Sequence, residues 1–209
     1  MGTAEVWDLI AAERAALAAD VGPLTDEQWQ TASLCDGWTV RDVLAHMVST
    51  AEMTPGRFVG RLVGSGFSLE RLQAKDIAEL TQGPPADTVA RFTADVHART
   101  HPPGPAQSWL GETIVHGEDI RRPLGIAHTY DPAAVTTTLD FYRKSNLVIG
   151  GKKRAAGLAM RATDVDWSAG SGPDVSGPAV SLALALTGRP AVLGDLTGDG
   201  VAVIRDRMP

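Results

Sequence analysis

Cysteine is nearly absent from this sequence: Cys35 stands alone. No disulfide can form within the chain, and a cysteine-rich zinc site is excluded. Long apolar runs are missing too, since none approaches the ~20 residues that span a bilayer. The opening residues, Met1-Gly-Thr-Ala-Glu-Val-Trp-Asp, lack a basic stretch followed by an apolar one, so no signal peptide is visible. Positive charge is short, the formal net charge being -6, which argues against a nucleic-acid surface built on clustered Lys and Arg. Several catalytic signatures are also lacking. There is no Gly-x-Ser-x-Gly elbow, no Walker A loop and no Gly-x-Gly-x-x-Gly after a strand. Gly170 and Gly172 sit beside the acidic Asp174, which makes a poor phosphate cradle. No internal repeat or low-complexity segment is present. Together these absences predict a cytoplasmic protein with neither a nucleic-acid nor a membrane partner.

What is present suits a folded chain: 44% hydrophobic and 21% charged residues can bury a sizeable core. Thr3 is placed to cap a first helix with Val6, Leu9, Ile10, Ala16 and Leu17 on one face, a stripe that Glu13 interrupts. Thr25 to Gln28 has capping-box spacing and opens a short helix. Asp36-Gly37 marks a turn, and Thr39 caps a longer helix whose stripe is Val40, Val43, Leu44 and Met47. That helix is expected to stop near Met53, before Thr54-Pro55-Gly56. Residues 58–82 read as weakly helical without clear bounds. Further helices are expected from Ala86 to about Thr100, from Pro105 to about Arg122, and from Asp131-Pro132 to about Leu147.

Beyond Gly150-Gly151 the pattern changes. Leu158 to Ala162 alternates as a strand, Asp166 to Pro173 is turn-rich, Gly177-Pro178 opens an apolar helix to Leu186, and Val201 to Ile204 reads as a last strand. The expected organisation is therefore a helical bundle over residues 1–150 and a small strand–helix–strand appendage over 151–209. With ~60 residues, the appendage is marginal for independent stability.

Among the five histidines, His46 lies within a firm helix on the shoulder of its apolar stripe. His116 follows Glu112 by four residues on another, which puts the two side chains one turn apart on one face. A Glu oxygen and a His nitrogen so placed can share one ion at the ~2.0–2.2 Å bonds zinc prefers, and a third donor from a neighbouring helix leaves a fourth position open. Spacing alone does not decide between this and a helix salt bridge with an unrelated His. His97, His101 and His128 read as surface residues, Cys35 as a small buried one, and Glu13 as a charge reaching out to solvent.

Ser33-Leu-Cys35-Asp-Gly-Trp38-Thr-Val-Arg-Asp42-Val-Leu-Ala-His46 resembles the signature of the mycothiol-dependent maleylpyruvate isomerase family, within the DinB-like superfamily of metal-binding helical bundles. Gly111-Glu112-Thr-Ile-Val-His116-Gly-Glu-Asp119-Ile-Arg121-Arg122-Pro123-Leu-Gly125 resembles its second signature. Asp164-Val-Asp166-Trp167 and the Gly-rich turn after it look like the small C-terminal domain of such proteins. The resemblance implies a mainly α fold, a DinB-like up-down four-helix bundle followed by a short C-terminal α/β domain. It implies that His46, Glu112 and His116 hold a divalent metal, usually zinc, and that mycothiol is the thiol cosubstrate. The implied chemistry is thiolate attack on a small electrophile, by an isomerase if the thiol leaves again and by a transferase if it stays.

Two further residues are candidates for that chemistry. Asp119, three residues after His116, is either an orienter of that ring or a salt-bridge partner of Arg121 or Arg122. Arg161 is a candidate anchor for a substrate carboxylate. Trp38 and Trp167 are candidate pocket walls. Other readings stay open at this point: a non-catalytic metal-stabilised module that binds a ligand or partner, or a metal-dependent hydrolase. A homodimer is compatible with any of them.

Overall fold

The computed structural model describes residues 2–147 and 149–208. Helix starts follow the local cap chemistry. Helix α1 spans Thr3–Val21, with Gly2 rather than Thr3 in the cap position. Thr25 caps α2 (Asp26–Trp29): the Gln28 N–H donates to Thr25 Oγ1 at 3.3 Å, and the Thr25 N–H donates to Gln28 Oε1 at 3.0 Å. Thr39 and Asp42 make the same exchange, at 3.2 and 2.9 Å, at the start of α3 (Val40–Glu52). The ill-defined stretch after it holds two helices, α4 (Pro55–Gly64) and α5 (Leu69–Leu80).

Helix ends depart further from expectation. Helix α6 (Pro85–Ala94) stops well before Thr100, because the Arg14 guanidinium binds the carbonyls of Asp95 and Ala98 at 3.2 and 3.0 Å. Helix α7 (Ala106–Leu124) takes Pro123 into its last turn and ends at Gly125, whose φ of +68° a glycine adopts without strain. Helix α8 (Pro132–Tyr142) ends short of Leu147. There Ser145 and Asn146 bond backbone amides locally, to Leu147 at 3.1 Å and Lys153 at 2.9 Å, in place of a further helical turn. The short α9 (Gly151–Ala155) follows.

The chain forms two compact units, Met1–Trp109 with His116–His128, and Leu110–Val115 with Thr129–Pro209. Helix α8 thus groups with the C-terminal residues, whereas the composition break lies near Gly150. Helix α7 is continuous and supplies residues to both units.

In the first unit α1, α3, α6 and the later part of α7 share a core of Leu17, Val21, Val43, Leu44, Met47, Val48, Phe92 and Ile120. Burying each of the large members contributes about 1.5–3 kcal/mol before entropy is counted. Glu13, expected in solvent, is buried at 6% exposure, and its Oε2 lies 2.8 Å from Nε2 of the half-buried His128. A carboxylate inside a stripe is tolerated there because it has that partner. His101 is also half-buried, its ring stacked on Trp7 at 5.3 Å. His97 is exposed as expected.

The second unit holds a three-stranded sheet in the order β2-β1-β3. Strand β1 (Ala159–Ala162) pairs antiparallel with β2 (Ser168–Gly170) and parallel with β3 (Asp174–Gly177). The turn-rich segment therefore contains a strand and leads into another. Helix α10 (Ala179–Leu186), with Leu182, Leu184 and Leu186 fully buried, packs on α8 and the sheet. Residues 201–204 are not a strand but part of α11 (Gly200–Arg205). The open side of β3 is already taken by Thr197, which exchanges two 2.8 Å backbone bonds with Ser176, so β-preferring residues further on find no edge to join. The mainly α class with a small sheet stands. Among the described residues no helix is long and apolar enough to cross a membrane.

Candidate metal centre

Helix α3 carries His46, and α7 carries Glu112 and His116 one turn apart. One ligand atom from each of the three lies within 4.8 Å of the others. The two imidazoles meet edge to face, with centroids 5.0 Å apart and planes at 81°. Two imidazoles and one carboxylate form a donor set that zinc accepts in catalytic sites with three protein ligands. The residues present therefore fit a divalent cation, and both histidines are half-buried rather than sealed.

Asp119 is fully buried, and its Oδ2 lies 2.8 Å from Nδ1 of His116. That bond fixes the ring and leaves Nε2 as the nitrogen for a ligand role. Cys35 is drawn into the same group. Its Sγ donates to Asp119 Oδ2 at 3.0 Å and stands 3.7 Å from His116 Nδ1. Burial pushes the His116 pKa down, but the hydrogen bond and charge of Asp119, with the Cys35 sulfur beside the ring, outweigh it and lift it to about 10. Without a cation, His116 holds its proton at neutral pH.

The loop that carries Cys35 is held by an irregularity in α7. Pro123 has no N–H, so the carbonyl four residues earlier, that of Asp119, receives no helical bond from it. The Leu34 N–H donates to that carbonyl at 3.2 Å. Ser33 stiffens the loop from within, its Oγ 2.8 Å from the Trp38 carbonyl and 3.1 Å from the Cys35 N–H. Gly37, at φ +74°, makes the turn that brings Trp38 round. The Trp38 ring then lies near both histidines, with centroids 5.2 Å from His46 and 6.4 Å from His116.

The other candidates lie in the second unit. Trp167 is buried there and donates to Asp140 Oδ1 at 3.4 Å. Arg161 is exposed on β1. Sequence reasoning missed Cys35 as a neighbour of His116, for a lone cysteine carries no spacing signal. It also read Pro123 only as a stop.

The class defined is a mainly helical protein in which two histidines and a glutamate converge. Residues 10–103 match the family model described as the mycothiol maleylpyruvate isomerase N-terminal domain. The matched stretch includes Cys35, Trp38 and His46 and ends before Glu112. Two solved structures share the fold. They are crystal structures of the mycothiol-dependent maleylpyruvate isomerase and of a histidine-to-alanine mutant of it. Each is 15% identical, with a TM-score of 0.56, over 95% of this chain and 93% of that one. No curated protein matches the chain.

Proposed function

We propose that the protein is a thiol-dependent isomerase or S-transferase, using mycothiol against a small electrophile at the His46–Glu112–His116 cluster. One observation carries this reading: the three donors converge while Asp119 holds the remaining nitrogen of His116. When bound, a divalent cation, zinc by the donor set, supplies the positive charge that favours thiolate over thiol. The chain's own residues prepare that charge balance. Glu112 brings one negative charge, and His46 and His116 serve as neutral donors. Asp119 orients His116 and keeps its proton on Nδ1. Trp38 lies beside both rings and is a proposed wall of the site. Arg161 stays a proposed carboxylate anchor on residue type alone. The cytoplasm is the proposed compartment, because a thiol cosubstrate needs reducing surroundings.

Exposure separates this reading from a closed structural metal site. The His116 side chain keeps 14% of its surface open, which supports a site that is not sealed by protein. The test is mass spectrometry of products from a panel of electrophiles, using zinc-loaded protein with and without mycothiol. Conjugates or isomerised products that need the thiol, and that vanish in His46→Ala, are expected. Turnover indifferent to the thiol would instead make the protein a hydrolase. Full zinc occupancy in His46→Ala, by elemental analysis, would remove the site altogether.

A further inference from the structure

We infer that Cys35 is a positioning residue that sets how strongly Asp119 pulls on His116, and thereby how well His116 serves as a metal ligand. The metal half of this inference rests on the reading above. Asp119 Oδ2 accepts from two donors at once, the thiol at 3.0 Å and the imidazole N–H at 2.8 Å. Two donors on one oxygen weaken each other's bond, since each draws on the same electron density. Asp119 is fully buried, so bulk water does not readily take the thiol's place. An S–H is a weak donor, which makes it a moderate attenuator rather than a competitor that displaces the ring.

Cys35 is not a ligand of the same ion in this arrangement. Its sulfur stands by Nδ1, the nitrogen bound to Asp119, whereas Nε2 is the one left for the cation. Its place is also secured without the sulfur. The Leu34 amide is tied to the Asp119 carbonyl at 3.2 Å, and the Cys35 amide to Ser33 Oγ at 3.1 Å. Loss of the thiol therefore removes a hydrogen bond and leaves the loop anchored.

The test compares Cys35→Ala, which has no donor, with Cys35→Ser, which keeps one. Cys35→Val fills the space of the sulfur without donating and repeats the test if the alanine variant is poorly folded. Zinc affinity, by competition with a chromophoric chelator, is expected to rise about three- to tenfold in Cys35→Ala and Cys35→Val. Cys35→Ser should stay within about twofold of the parent, and Cys35→Ala should add nothing once Asp119→Asn is present. In metal-free protein, the NMR signal of the His116 Nδ1 proton should move downfield in Cys35→Ala and Cys35→Val. Unchanged or weaker zinc binding in those variants overturns the inference. So does a sulfur-to-cobalt charge-transfer band in the cobalt form that disappears in Cys35→Ser, since it would make Cys35 a ligand. Should the parent protein bind no zinc, the metal reading falls, and the proton shift alone decides whether Cys35 and His116 are coupled through Asp119.

Discussion

Asp119 is engaged twice by one loop: its carboxylate by the Cys35 thiol, its carbonyl by the Leu34 amide. The same carboxylate grips His116, and two consequences follow at the level of single side chains. Replacing Asp119 with Asn removes the charge that orients and strengthens His116. Zinc affinity should fall about 10- to 100-fold, as chelator competition would show. The second consequence concerns pH in the metal-free protein. His116 has a pKa lifted from 6.5 to about 10. A raised value in the folded state means that its stabilising effect is complete below pH 6.5 and lost as pH climbs through about 10. Melting temperature, measured without metal, should therefore decline between those limits, and Asp119→Asn should flatten the decline. An unchanged slope in that variant would place the titration elsewhere.

Among the elements, α7 and the Ser33–Trp38 loop are joined by what Pro123 lacks. Pro123→Ala returns an N–H that competes for the Asp119 carbonyl. The Leu34 amide should then exchange its hydrogen about fivefold faster, the equivalent of ~1 kcal/mol, in a site-specific exchange measurement. The loop was beyond sequence reasoning for this reason: its anchor is created by a proline far along the chain that reads locally as a stop. Helix starts were legible, because Thr25 and Thr39 make their bonds within three residues. The ends of α6 and α8 were not. One depends on Arg14, which comes from the other end of the unit's sequence, and the other on side chains that choose local bonds over another helical turn. Residues 201–204 have strand-like composition, yet Thr197 already occupies the edge they would need. Helical spacing left the grouping of His46, Glu112 and His116 undecided and the motif resemblance implied it, and their donor atoms do lie near one another; the offset of Asp119 suited an orienter or a salt bridge equally. The place of Cys35 beside His116 could not be read.

At the scale of the whole molecule, α7 is the element that both compact units use. Its Gly111 precedes Glu112 directly, and a Cβ there would lie 2.6 Å from Cζ of the buried Tyr142. Gly111→Ala should destabilise the protein by about 1–3 kcal/mol, seen as a lower denaturant midpoint with an unchanged slope. A neutral result would mean that Tyr142 moves aside at no cost. The continuity of α7 also bears on timing during synthesis. His46 leaves the ribosome first, and Glu112 and His116 follow about a third of the chain later. Until α7 has wound through both of its segments, His46 stands alone among the three proposed donors. In a zinc finger the ligands are close neighbours and the metal drives folding; the proposed donors here are instead separated by α4, α5 and α6, so folding of those helices should precede any metal binding.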